Sequence, residues 1–284
     1  MDDEDYKVSS EIYSEFDYRT TIEPKLNKND LVSRFPFKWP PKLAQTDNDG
    51  DLVVDRSDFN EQDSRAEFVE IEHSGSTVLG LVGLQVWRGA LLLADWLFHI
   101  RKLLKNNSVI LELGSGVGLT SIIGAHYAPV VCTDVNKGEI LKLIESNVAR
   151  NSHLLVYPVK IVELDFTQTE FTQEIKDLLP NIEVILAADV VYDDEITLAF
   201  VNTLQRLLSH QPPHKYAYVA LEKRYVFTIS DCDSVAPCYD YFLECLRNKD
   251  DLVAEEIDLN FPQFFEYNRV RELVLWKVCS KYKK

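Results

Sequence analysis

The chain has 284 residues, 46% hydrophobic and 11% aromatic, which allows a large buried core in one domain with an extension. Its formal net charge is −16 and its sequence pI about 4.8. Such a surface repels polyphosphate, which argues against direct nucleic-acid binding and favours a basic protein or a cationic small molecule as partner.

The opening residues lack the basic and apolar regions of a secretory signal. Five scattered cysteines (132, 232, 238, 245 and 279) form no CxxC pair, so a reducing compartment with neither disulfide frame nor metal site is expected. Residues 1–70 hold 18 acidic and 9 basic residues. The expected division is an acidic N-terminal extension over residues 1–65 and a catalytic domain over 66–284. Within the extension, KWPPKLAQTDNDGDL (38–52) reads as loop. EIYSEFDY and DLVVDR carry strand-like apolar residues that point to partial order against the main domain.

From residue 80 a regular alternation begins. VWRGALLLADWLFHIRKLL (86–104) has helical spacing and a basic last turn. Its apolar run is broken by Asp95 and too short for a membrane span, so a soluble, intracellular chain is expected. SVILEL (108–113) is a buried-strand run, LTSIIGAHYA (119–128) a helix and PVVCTDV (129–135) a second strand. KGEILKLIESNVARN (137–151) is helical and LLVYPVKIVELDF (154–166) strand-like. IEVILAADVVY (182–192), ITLAFVNTLQRLLS (196–209) and KYAYVALEK (215–223) read as strand, helix and strand. DLVAEEIDL (251–259) and VRELVLWKVC (270–279) read as a long-looped antiparallel hairpin. The predicted fold is α/β: a Rossmann-like parallel sheet with helices on both faces, closed at one edge by a C-terminal antiparallel hairpin.

In such sheets ligands bind beyond the carboxyl ends of the strands. The first strand ends in Glu112 and the loop Gly114-Ser115-Gly116-Val117-Gly118. Glycines there let a ligand approach the backbone. The spacing G-x-G-x-G is neither a Walker loop nor a dinucleotide loop. Asp134 ends the second strand, placed to accept from a ribose diol. Leu164-Asp165-Phe166 ends the third, offering an acid for an adenine amino group and a flat ring for its face. An anchor for an amino acid, a ribose clamp and an adenine slot together describe S-adenosylmethionine. Its positive sulfonium suits a site walled by Glu112, Asp134 and Asp165 with no lysine.

AADVVYDDE (187–195) ends the fourth strand. Methyl transfer to an amine nitrogen needs a free lone pair, and deprotonating a lysine of pKa ~10.4 at pH 7 costs about 4–5 kcal/mol. Asp189 and Tyr192 are candidates to orient such an amine between a carboxylate and a ring. The Pro-Pro signature of adenine and glutamine N-methylases is absent, both prolines being valines here. Glu222, Lys223 and Arg224 end the fifth strand at the same face, as an acceptor gate or as a solvated salt cluster.

VGLQVWRGALLLADWL, ILELGSGVGLTSI, TDV, LDF and AADVVYDDE together resemble methyltransferase family 16 of the seven-β-strand protein lysine methyltransferases, over about residues 68–279. The resemblance implies cofactor contacts at Trp87, Glu112, Gly114, Gly116, Asp134 and Ala188, and acceptor-side roles for Asp189 and Tyr192. Phe166 stands where the family usually has tryptophan. The resemblance further implies a lysine acceptor in a nucleic-acid-binding protein client of the Kin type, and a nuclear or cytoplasmic setting. A monomer is expected. The other readings are methylation of a small amine or nucleobase, and a cofactor-binding module without catalysis.

Overall fold

The computed structural model describes residues 7–41, 45–46, 52–53, 65–104, 108–210, 212, 214–228 and 233–281. Cys232 and most of the 42–64 stretch lie outside them, although Gln45–Thr46 pairs with Leu52–Val53 inside the expected loop. Besides that pair and a short hairpin of Val226–Thr228 with Asp233–Val235, the strands are β1 (Lys7–Val8), β2 (Leu31–Lys38), β3 (Ala66–His73), β4 (Thr77–Val78), β5 (Val109–Leu113) and β6 (Val130–Asp134), followed by β7 (Val159–Glu163), β8 (Ile182–Ala188), β9 (Tyr216–Glu222), β10 (Leu252–Ile257) and β11 (Leu273–Ser280). The helices are α1 (Arg88–Ile100), α2 (Leu119–Gly124), α3 (Ile140–Arg150), α4 (Gln173–Leu178), α5 (Asp194–Ser209) and α6 (Pro237–Arg247).

Seven strands form one sheet in the order β10-β11-β9-β8-β5-β6-β7. β5 to β9 run parallel, whereas β11 is antiparallel to both β9 and β10, as the expected hairpin requires. One core holds the apolar faces of α1, α2 and part of α3; the other holds those of α4, α5 and α6. Helices therefore cover both faces of the sheet, which is why β5 and β8 are apolar on both sides.

The sequence reading differs from the structure at several places. EIYSEFDY forms no strand; Ile12–Glu15 is a single helical turn whose Ile12 is buried. The third strand starts only at Val159, because Ser152–Leu154 continues from α3 as a 3-10 turn. Helices α4 and α6 carried no expectation; α6 opens on Pro237, a residue suited to a first helical position.

The acidic segment joins the core. β2 pairs with β3 along its whole length, from Leu31 opposite His73 to Lys38 opposite Ala66. Phe37 and Trp39 set their rings 5.4 and 5.7 Å from Phe98 of α1. This explains why α1 is apolar nearly all round: it lies between the sheet and this second layer. On the other edge of β3, the Asn147 and Asn151 side chains bond the backbone of Glu72 and Glu70, continuing the ladder where no strand follows.

Asp95, the acid that interrupts the α1 run, is fully buried and holds the long hairpin loop. Its Oδ1 accepts from the amides of Phe264 (2.8 Å) and Phe265 (3.0 Å). Its Oδ2 accepts from Tyr267 (3.0 Å) and pairs with Arg269 (2.7 Å). Asp95→Ala removes the charge opposite a partly buried guanidinium and leaves two loop amides without their acceptor. The expected loss is about 3–5 kcal/mol, read as a thermal midpoint lower by roughly 10 °C. An unchanged midpoint would show that the loop is held without it.

Candidate active site

The ends of β5, β6, β7 and β8 converge on one cavity of about 570 Å³, within the size range of small-molecule sites. Its lining includes Trp87, Glu112, Gly114, Ser115, Gly116, Asp134, Asp165, Phe166, Ala188, Asp189 and Tyr192 but not Glu222, Lys223 or Arg224, so the structure brings together every candidate cofactor and catalytic residue from the sequence except one. The exception is Gly118. Its backbone is left-handed (φ 85°) and a Cβ there would sit 3.2 Å from Ile144, so this glycine serves the turn and the approach of α3 rather than the cavity.

The loop after β5 is pinned from beneath. Ser115 donates to the Thr133 carbonyl through both its amide (2.9 Å) and its hydroxyl (2.8 Å). Asp134 accepts from the amides of Gly116 and Val135, both at 2.8 Å. Gly116 is left-handed (φ 57°), and a Cβ there would meet the Gly83 carbonyl at 2.9 Å. Only glycine lets the segment before α1 close on this loop.

The acids of the cavity differ in character. Glu112 accepts from the Ser121 hydroxyl. Burial outweighs that bond and lifts its carboxyl to about 7. Burial likewise lifts Asp134 to about 6, against the two amide bonds. Among the described residues neither carboxylate has an ion-pair partner. For Asp165, burial is outweighed by hydrogen bonds from the Thr167 hydroxyl and amide, and its carboxyl lies below the usual value. The expectation of a site without lysine needs correction, because Lys137 lies at the cavity rim. Six acidic residues still line the cavity beside that single cationic one: Glu112, Asp134, Glu163, Asp165, Asp189 and Asp193. This donor set fits a positively charged ligand.

Phe166 lies beside Gly114, where a Cβ would come 3.5 Å from its ring and 2.7 Å from Val190. Trp87 precedes α1, donates its indole N–H to the Val82 carbonyl (2.8 Å) and carries the Arg224 guanidinium 4.5 Å from its ring. The Glu222-Lys223-Arg224 run is thus engaged: Glu222 pairs with buried Arg88, and Lys223 lies 4.6 Å over Tyr239.

Asp189 has a left-handed backbone (φ 51°), uncommon outside glycine, asparagine and aspartate. Its Oδ2 accepts from the Gly89 amide (2.6 Å) and its Oδ1 from the Glu222 amide (2.9 Å). Asp189 therefore caps α1 from across the fold, while Asp193 caps α5 by accepting from Ile196. Burial raises the Asp189 carboxyl above its ordinary value, opposed by Arg224 and by these amides. Burial also raises the Tyr192 phenol, with Asp134 and Asp193 adding to it, so the ring stays neutral. Sequence reasoning missed Gly89 and Gly83. A Cβ on Gly89 would lie 2.5 Å from Asp189 Oδ2, and one on Gly83 would lie 2.8 Å from Ile140. Both glycines were visible in GLVGLQVWRGA, but only tertiary contact gives the reason for them.

The sheet order, the glycine loop and the acid-lined cavity define a Rossmann-like methyltransferase fold. Residues 67–236 match the model of the lysine methyltransferase family, and the chain belongs to that family. It is 38% identical over 261 residues to Methyltransferase-like protein 22 of Mus musculus, covering 84% of this chain and 65% of that protein. It is 37% identical over 242 residues to Methyltransferase-like protein 22 of Homo sapiens, covering 78% and 59%. A third relative, Protein-lysine N-methyltransferase EFM3 of Chaetomium thermophilum, is 28% identical over 149 residues, covering 51% and 44%. The chain therefore spans about two thirds or less of the length of these relatives.

Proposed function

We propose that this chain transfers methyl groups from S-adenosylmethionine to the ε-amine of a lysine in a basic protein client. The observation that carries this reading is the single cavity joining the glycine loop, three strand-end acids and the Asp189–Tyr192 pair. Bound there, the cofactor supplies an electrophilic methyl group. Glu112 would receive its amino-acid end, Asp134 the ribose, and Asp165 with Phe166 the adenine; Trp87, Ser115 and Ala188 complete the walls. Residues 66–284 form the catalytic domain in this reading, with 1–65 as an extension of which residues 7–41 pack on it. A client of the Kin type, and work in the nucleus or cytoplasm, accord with the resemblance and the charge. Among the described residues no helix is long and apolar enough to cross a membrane.

On the acceptor side, the two Asp189 oxygens offer about four lone-pair sites, of which two are taken by amides. The remaining two can accept from an incoming ammonium. A carboxyl raised by burial also holds a proton better than an ordinary aspartate, which helps it receive the one that lysine sheds. Tyr192 supplies a neutral ring and hydroxyl at the same end.

The deciding experiment incubates radiolabelled S-adenosylmethionine with fractionated lysate, using wild type beside Asp189→Asn. A labelled protein band that depends on Asp189, with the label mapped to lysine, supports the proposal. Label only in small molecules or bases would move the acceptor to another class, and cofactor binding without any label would leave a binding module.

Cofactor binding should also depend on pH. Glu112 and Asp134 are protonated below about 7 and about 6, and their ionised forms are the better acceptors for the cofactor's ammonium and ribose hydroxyls. Affinity for S-adenosylmethionine is expected to rise between pH 5.5 and pH 7.5, by up to about tenfold per unit for each proton released. Calorimetry in buffers of different ionisation enthalpy reads that release directly. A pH-independent affinity would contradict this assignment of the two acids.

A further inference from the structure

The cavity wall formed by residues 79–87 is held at both ends by a segment outside the family match. On its N-terminal side, Lys7–Val8 (β1) pairs antiparallel with Thr77–Val78 (β4). On its C-terminal side, three positions of the arm engage three of the wall and its continuation. The Ser10 amide donates to Gln85 Oε1 (2.9 Å). The Tyr13 hydroxyl accepts from the Val86 amide (2.8 Å). Glu15 pairs with Arg88 at 2.6 Å, and Arg88 in turn pairs with Glu222. Gln85 is buried and closes the set by donating to the Val8 carbonyl (3.1 Å) and the Thr77 hydroxyl (2.7 Å). The Tyr13 ring is itself fixed, stacked at 4.5 Å on His73 of β3.

Every residue from 79 to 87 lines the cavity, and Gly83 approaches Gly116 of the loop. Six of the nine belong to a 3-10 segment with little burial of its own, interrupted by non-helical dihedrals at Leu81. Such a segment has weak internal stability and takes its position from whatever holds its ends.

We propose that Tyr13 and Glu15 are positioning residues for the cofactor cavity, keeping the 79–87 wall closed against the glycine loop. The proposal rests on the reading of this cavity as the S-adenosylmethionine site. A wall in place only part of the time raises the apparent Kd by the reciprocal of the closed fraction.

The test uses the full chain and S-adenosylhomocysteine as probe. Tyr13→Phe keeps the stacked ring and removes only the acceptor for Val86; Glu15→Gln removes the charge opposite Arg88. Each is expected to raise the calorimetric Kd by about tenfold, the effect of one buried hydrogen bond. Amide exchange should quicken across 79–87 while the amides of β5 keep their protection. A merely structural role would lower the unfolding midpoint and leave Kd and local exchange alone. Should both folded variants bind within twofold of wild type, the proposal is overturned while the cavity assignment stands. Should wild type itself fail to bind the probe, the cavity reading fails and takes this proposal with it.

Discussion

Asp189→Asn is expected to lower methyl transfer by at least about 100-fold, within the range for loss of a positioned acid–base group, while leaving S-adenosylhomocysteine affinity within a few-fold of wild type. Asparagine suits this test for two reasons. It tolerates the left-handed backbone that residue 189 adopts, so the main chain is not the variable. It also matches aspartate in size, so the cavity keeps its shape. What changes is charge and acceptor number: one oxygen can serve the Gly89 or the Glu222 amide but not both. Gly89→Ala supplies a companion that keeps the carboxylate but displaces it, since its Cβ would lie 2.5 Å from Asp189 Oδ2 and force it aside. A comparable loss of transfer is expected. Rates come from label incorporated into the client band, and affinity from calorimetry. If both substitutions weakened cofactor binding as much as transfer, Asp189 would be a cap for α1 and nothing more.

The second large effect is expected at Asp134. Asp134→Ala removes the acceptor proposed for the ribose and releases the Gly116 and Val135 amides that hold the loop. Two charged hydrogen bonds of about 1.5–3 kcal/mol each are at stake, so Kd for S-adenosylhomocysteine should rise by about 100-fold or more. The fold itself should survive. Burial raises this carboxyl to about 6, so its ionised form weighs against the folded state as pH rises from the unfolded value through 6. At neutral pH the alanine variant escapes that cost. The expected pattern is therefore weak binding with a thermal midpoint near that of the ligand-free wild type. Unchanged affinity would remove Asp134 from the site.

Much of this architecture was legible in the residues alone, because its signals are local. Two-sided apolar runs such as VILEL and IEVILAA identify buried parallel strands, and a strand's last residue lies at the mouth of the sheet whichever neighbours it acquires. Glu112, Asp134, Asp165 and Asp189 could therefore be placed on one cavity without coordinates. The glycine spacing marked the loop by the same logic, although it could not separate Gly116, which meets Gly83, from Gly118, which meets Ile144.

Contacts between segments distant in the chain were decided by the tertiary structure. An acid in an apolar helix, Asp95, became the anchor of a loop about 170 residues away. An acidic segment that composition set apart placed Ile12, Phe35 and Phe37 in the main core and aligned Tyr13 and Glu15 with the cavity wall. The reason is that periodicity and turn chemistry are carried by neighbouring residues, whereas a buried carboxylate or a tight glycine approach is specified by whatever the chain brings opposite it. The sequence by itself determined the sheet, the loop and the strand-end acids. Which amides those acids hold, and which segment closes the cavity over them, followed only from packing.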